Sequence, residues 1–143
     1  MIIHTGYSRY YAGGAEPDLV RYFFKNPGGD GELAEWAVER QIRWLGVDSS
    51  GPEHPMTGNT RDYWPQVYAE AERVMGESPA ERFPVEKQMM IHRILFAHDI
   101  PIVENISGAV AQLIGRRADV CAFPWKFAGG EAALVRVVAF AEP

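Results

Sequence analysis

What this chain lacks narrows its function first. One cysteine, Cys121, stands in 143 residues. A single thiol makes no internal disulfide, and without a Cys-x-x-Cys pair there is no thiolate zinc or redox motif. In the apolar setting ADVCAFPW it reads as a small buried hydrophobe. Positive charge is scarce as well. The 14 Lys and Arg against 19 Asp and Glu leave a net charge of −5, and no basic cluster exceeds the pair Arg116-Arg117. A mildly acidic chain has no long-range attraction for phosphate backbones, so no nucleic-acid partner is expected. No run approaches the ~20 apolar residues of a membrane span, so no membrane partner is expected either. The first residues also lack a basic segment followed by a long apolar stretch, and the cytoplasm is the expected compartment. There is no G-x-S-x-G, no G-x-x-x-x-G-K and no G-x-G-x-x-G, which removes the commonest serine-hydrolase, P-loop and dinucleotide signatures.

What is present is the material of one globular domain over 1–143. Apolar residues make up 47% and charged residues 23%, ordinary values for a chain long enough to bury its own core. Ile2 to Thr5 is a short apolar strand. Residues 6–16 form a loop rich in tyrosine, and Pro17 opens a short helix through Phe24. Asn26-Pro27-Gly28-Gly29 is a turn, and Asp30 caps a helix over Gly31 to Arg43. Trp44 to Val47 reads as a buried strand, Asp48 to Thr60 as loop, Trp64 to Met75 as helix and Gly76 to Phe83 as a connection. Pro84 to Ala97 is the strongest helix, with Val85, Met89, His92 and Phe96 on one apolar face. Ile100 to Glu104 is a strand, Ser107 to Ile114 a helix ended by Gly115, and 118–127 and 132–141 are two strands around Ala128 to Glu131. The last, ALVRVVAFA, is nearly all apolar and is expected at the centre of a sheet. Helices alternating with strands predict an α/β fold: a mixed sheet with flanking helices.

The candidate chemistry lies in the histidines and one carboxylate. His92 sits on a helix and Glu104 closes the following strand, twelve positions later. A helix packed beside its strand brings two such positions together, and His with carboxylate is a metal-ligand pairing. From the pattern alone, a lone histidine on an apolar face is more often a satisfied core residue, and an exposed strand-end acid remains open for Glu104. Glu104 is the sharper clue, because a carboxylate ending an apolar strand is costly to bury unless paired or bound to a cation. His98 falls on another face and belongs at the helix C-terminus. His54 lies in the polar loop SSGPEHP beside Glu53, and His4 lies in the first strand without an assigned role. Tyr7, Tyr10, Tyr11, Trp64 and Trp125 either line a pocket for a flat substrate or pack as core and rim.

Four segments in order resemble the cyclase family of metal-dependent amide hydrolases, which includes bacterial kynurenine formamidases and isatin hydrolases. They are HTGY at 4–7, LGVDSS at 45–50, His92 with Leu95-Phe96 and then Glu104-Asn105, and FPWKFAGGEAALVRVVAF at 123–140. The resemblance implies a swivelling β/α/β domain, of which this chain would be the C-terminal portion. It also implies a divalent metal, zinc or manganese, with His92 and Glu104 as ligands and Glu104 moving the proton as the catalytic acid or base. Asp48, Ser50 and Tyr7 would shape the site for a small aromatic or cyclic substrate, in a homo-oligomer. The family's hallmark His-x-Gly-Thr-His-x-Asp-x-Pro-x-His motif has no counterpart here. Two ligands are fewer than the three a catalytic zinc normally takes. A truncated hydrolase and a non-catalytic α/β module that binds a partner therefore both remain open.

Overall fold

The computed structural model describes residues 1–58 and 60–141, without the side chains of Thr60 and Arg61. Asn59, inside the expected Asp48–Thr60 loop, and Glu142-Pro143, at the end of the expected domain, lie outside the described residues. The expected α/β architecture with a mixed set of strands is present. Three short strands, β1 (Ile2–Ile3), β2 (Leu45–Val47) and β3 (Ile102–Val103), form a parallel sheet in the order β1-β2-β3. Ile2 is in register with Gly46, and Gly46 with Val103. A second sheet is the antiparallel hairpin of β4 (Asp119–Pro124) and β5 (Val135–Phe140). The helices are α1 (Leu19–Phe24), α2 (Gly31–Glu39), α3 (Thr60–Tyr63), α4 (Pro65–Met75), α5 (Pro79–Arg82) and α6 (Met90–Ala97).

Alternation along the strands divides the core in two. Leu45, Ile3 and Ile102 point to one face, where α2 and α6 cover them with Ala34, Ala37, Ile91 and Leu95. Parallel crossovers are right-handed, so two that step in the same direction along a sheet place their helices on the same face. That leaves the opposite face for another element. Ile2, Trp44 and Val103 point there and meet Ile106, Val110 and the inward residues Ala122, Val135 and Val137 of the hairpin. Gly46 lies on this face. A Cβ there would stand 2.6 Å from the Ile106 side chain and 2.7 Å from the Trp44 ring, so the crowding itself selects glycine.

Several expectations need correction. The 84–97 segment is not one helix. Val85–Lys87 forms a 3-10 turn, and Met89, with φ of 49°, breaks the path before α6 starts at Met90. Its buried side chains are Ile91 and Leu95, whereas Val85 is 73% and Phe96 56% exposed. The apolar stripe spans two elements whose phases are unrelated, so it does not mark one buried face. The helix expected to reach Arg43 ends at Glu39, where Gln41 turns with φ of 54°. Gly108–Leu113 is a 3-10 segment rather than an α-helix. The last strand is not central, since among the described residues β5 pairs with β4 alone. Apart from Arg136 it is apolar, but only Val135 and Val137 meet the core, and Phe140 is 63% exposed. Cys121 is half-buried on the hairpin rather than fully buried. Among the described residues no helix is long and apolar enough to cross a membrane.

This packing predicts a sharp contrast in stability. Leu95→Ala should cost about 2–5 kcal/mol, the range for truncating a buried leucine. Val85→Ala should stay within about 0.5 kcal/mol, as at ordinary surface positions. Urea denaturation of the two variants checks this, and comparable losses at both would contradict the assigned burial.

Candidate active site

All three parallel strands end at the same edge of the sheet, and each is followed at once by polar residues. His4-Thr5 follow β1, Asp48-Ser49-Ser50 follow β2, and Glu104-Asn105 follow β3. This carboxyl edge is where parallel α/β sheets gather their binding groups. Buried backbone and side-chain polar atoms must find partners there, and the observed bonds show how they do.

Asp48 is fully buried. One of its oxygens accepts from the Thr5 amide and the Thr5 hydroxyl, both at 2.7 Å, and the other accepts from the Gly6 amide at 2.8 Å. His4 Nε2 lies 3.5 Å from the same carboxylate. Asp48 thus ties the end of β1 to the end of β2. Asn105 does the same for β3. Its φ of 59° is a left-handed conformation that Asn tolerates well. The turn lets the Asn105 and Ile106 amides donate to the Ser49 and Val47 carbonyls, both at 3.0 Å. The Tyr22 hydroxyl, from α1, donates to the Asn105 side-chain oxygen. Burial, then the negative charges around it, pushes the Tyr22 phenol up to about 12. Ser50 Oγ bonds Asn26 Oδ1 at 3.1 Å, and Tyr7 donates its hydroxyl to the Lys25 carbonyl at 2.8 Å.

His92 stands at the centre of the remaining cluster. It lies in the first turn of α6, whose cap position is Met89, a residue with no capping side chain. Glu53, 7% exposed in the loop after β2, supplies the missing acceptor. Its Oε1 accepts the His92 backbone N–H at 2.8 Å, and its Oε2 accepts from the ring Nδ1 at 2.7 Å. A carboxylate at a helix N-terminus is also favoured by the helix dipole. On the other side of the ring, Nε2 lies 3.4 Å from Glu104 Oε1. Phe96 meets the ring edge-on at 5.3 Å. The Glu104 and Glu53 carboxylates, in that order, hold the imidazolium proton to about 9, against the opposing effect of burial. The Glu104 contact is at the long end for a hydrogen bond, so the shorter Glu53 pair fixes the ring's orientation.

The expected pair His92 and Glu104 is therefore brought together, and Asp48 and Ser50 lie on the same sheet edge. The other histidines have local roles. His98 ends α6 with its Nδ1 2.9 Å from the Ile94 carbonyl. His54 accepts the Met56 amide on Nδ1 and stacks on Phe83 at 4.8 Å, which packs it within its loop. The aromatics Tyr11, Tyr22, Phe23, Phe24 and Trp64 form a continuous series of ring contacts, and Trp125 is exposed on the hairpin. Sequence reasoning passed over Glu53 and Tyr22. An acid just past the end of a central strand was the available signal for Glu53. Nothing in the local pattern marked Tyr22.

The donor set fits part of a metal centre. Two ligands of one tetrahedral zinc, each about 2.0–2.1 Å from the ion, stand about 3.4 Å apart, which matches the Nε2–Oε1 separation. The set is incomplete. Among the described residues, no group of three or more His, Cys, Asp or Glu side chains is placed to hold a metal ion.

Residues 1–54 match the family model described as Putative cyclase. The match supports a cyclase-family member and takes in the HTGY and LGVDSS segments, while His92, Glu104 and the hairpin lie outside it. No curated protein matches the chain, and no solved structure does.

The His92 geometry fixes a pH dependence. An unfolded histidine releases its proton near 6.5, whereas His92 in the fold holds it to about 9. Between those values the folded state carries a proton the unfolded chain has lost. The resulting stability is complete below about pH 6.5 and is lost as pH rises through about 9. Urea midpoints of the wild type should fall across this window relative to those of His92→Gln. Parallel profiles for the two proteins would contradict the assignment.

Proposed function

We propose that the chain carries part of a metal-dependent amide or formamide hydrolase site of the cyclase kind. The observation that supports it most is the His92 Nε2–Glu104 Oε1 pair at 3.4 Å, on the carboxyl edge of a parallel sheet, with the other ring nitrogen engaged by Glu53. His92 and Glu104 would hold a divalent ion, zinc or manganese, with further ligands from outside the described residues. A cation there supplies Lewis acidity toward a carbonyl and acidifies water. Glu104 is the residue suited to move a proton, because at 34% exposure its carboxylate is reachable while Glu53 is spent on His92. Asp48 acts through the Thr5-Gly6 backbone it holds, and Ser50 and Tyr7 through the loops they fix. The substrate class is a small aromatic or cyclic amide of the arylformamide type, and the protein works as a homo-oligomer.

Calorimetric titration of the chain with Zn²⁺ or Mn²⁺ should show one weak site. His92→Ala and Glu104→Ala should each weaken it at least about tenfold, the effect of losing one partner of a charged pair. Hydrolysis of N-formylkynurenine by this chain alone should stay near the buffer rate, since two protein ligands do not complete a catalytic zinc site. Metal binding that survives both substitutions would remove His92 and Glu104 from the site. Rapid hydrolysis by the chain alone would overturn the partial-site reading, and absence of any metal binding would favour a non-catalytic module.

A further inference from the structure

We propose that Glu53 is the positioning residue of this site, fixing the His92 ring so that Nδ1 carries the proton and Nε2 alone faces Glu104. The inference rests on the preceding assignment of Nε2 as the working nitrogen and adds the residue that selects it.

Three observations carry it. The first is the division of labour within one carboxylate. Satisfying the His92 amide requires a single acceptor, and Oε1 provides it at 2.8 Å. That bond leaves Oε2 unexplained, yet it lies 2.7 Å from the ring Nδ1 of the same residue. Backbone and ring of His92 are thus held by one rigid group, which leaves the side chain little torsional freedom. The second is how firmly Glu53 itself is set. Its backbone forms a parallel bridge with Gly29, and the Gly29 amide donates to the Pro52 carbonyl at 2.7 Å. Gly28 lies against the same segment so closely that a Cβ there would stand 2.0 Å from the Glu53 carbonyl carbon. His54, the next residue, is fixed by its own cap and by Phe83. The Asn-Pro-Gly-Gly turn therefore acts as a seat for Glu53. The third is the choice of nitrogen. A carboxylate only accepts, so Nδ1 must donate to it, and the nitrogen left to give up its proton to a metal ion is Nε2. Carboxylates placed this way behind a histidine orient the ring and raise its basicity.

The test uses the full chain labelled with ¹⁵N-histidine and free of metal. Long-range proton–nitrogen correlation should show a slowly exchanging Nδ1–H on His92. In Glu53→Gln, which keeps the shape and removes the charge, that proton should exchange rapidly and its signal vanish. The other histidine signals and the circular dichroism should be unchanged. In Glu104→Gln the Nδ1–H should persist, because only the Nε2 partner is altered. An Nδ1–H that survives in Glu53→Gln would overturn the proposal. So would its loss in Glu104→Gln with Glu53 intact, a comparison that stands even if the Glu53 variant does not fold. Titration with Zn²⁺ alone adds an independent arm, with affinity expected to fall about 10- to 100-fold in Glu53→Gln. A wild-type chain that binds no zinc overturns the metal assignment only, and the ring-proton comparison then decides the role of Glu53.

Discussion

A buried carboxylate has to be satisfied, and among the described residues Glu53 is satisfied by one residue, His92. Much of the site follows from that constraint. Glu53, in the loop after the central strand β2, reaches the first turn of α6, whose cap residue Met89 makes no side-chain cap bond. The bond starts α6 where it starts and orients His92 toward β3. It also ties the helical layer to the edge of the sheet. Removing either member would leave a charge or a set of helix donors unpaired in a half-buried place, which is costly.

The sheet makes this possible through its shortness. Strands of two or three residues leave the chain quickly at the carboxyl edge, so polar residues from three separate segments meet there. Asp48 ties the ends of β1 and β2, and Asn105 those of β2 and β3. Two fixed corners hold the edge, and between them Glu104 projects toward His92. The apolar halves of the same strands are buried by α2 and α6 on one face and by the hairpin on the other. The site is thus a by-product of strand ends whose remaining residues are committed to packing.

The α/β class was legible in the sequence because helices and strands alternate and each buried strand is locally apolar. Trp44 to Val47 stood out as a strand because polar residues bound a short apolar run, and Asp30 marked the start of α2 as a cap. The pair His92 and Glu104 was legible as a spacing whose meaning depended on the packing of helix on strand. What could not be read was long-range. The Glu53–His92 bonds span 39 residues, and no local pattern links them. The same missing information explains the error over 84–97. A continuous apolar stripe predicts one helix, but α6 begins where a distant carboxylate meets its first turn. The hairpin shows the complementary failure. A nearly all-apolar strand implies cover on both faces, while β5 meets the core on one face only.

The central claim is that His92 Nε2 and Glu104 Oε1 form one binding edge, with Glu53 holding the ring behind it. Anomalous diffraction at the zinc edge, from crystals of the chain soaked in zinc, tests it most directly. The account predicts an anomalous peak between His92 Nε2 and Glu104 Oε1, with Glu53 still bonded to Nδ1. A peak seated instead against His4 and Asp48, or one bound through Glu53 with His92 turned away, would contradict it.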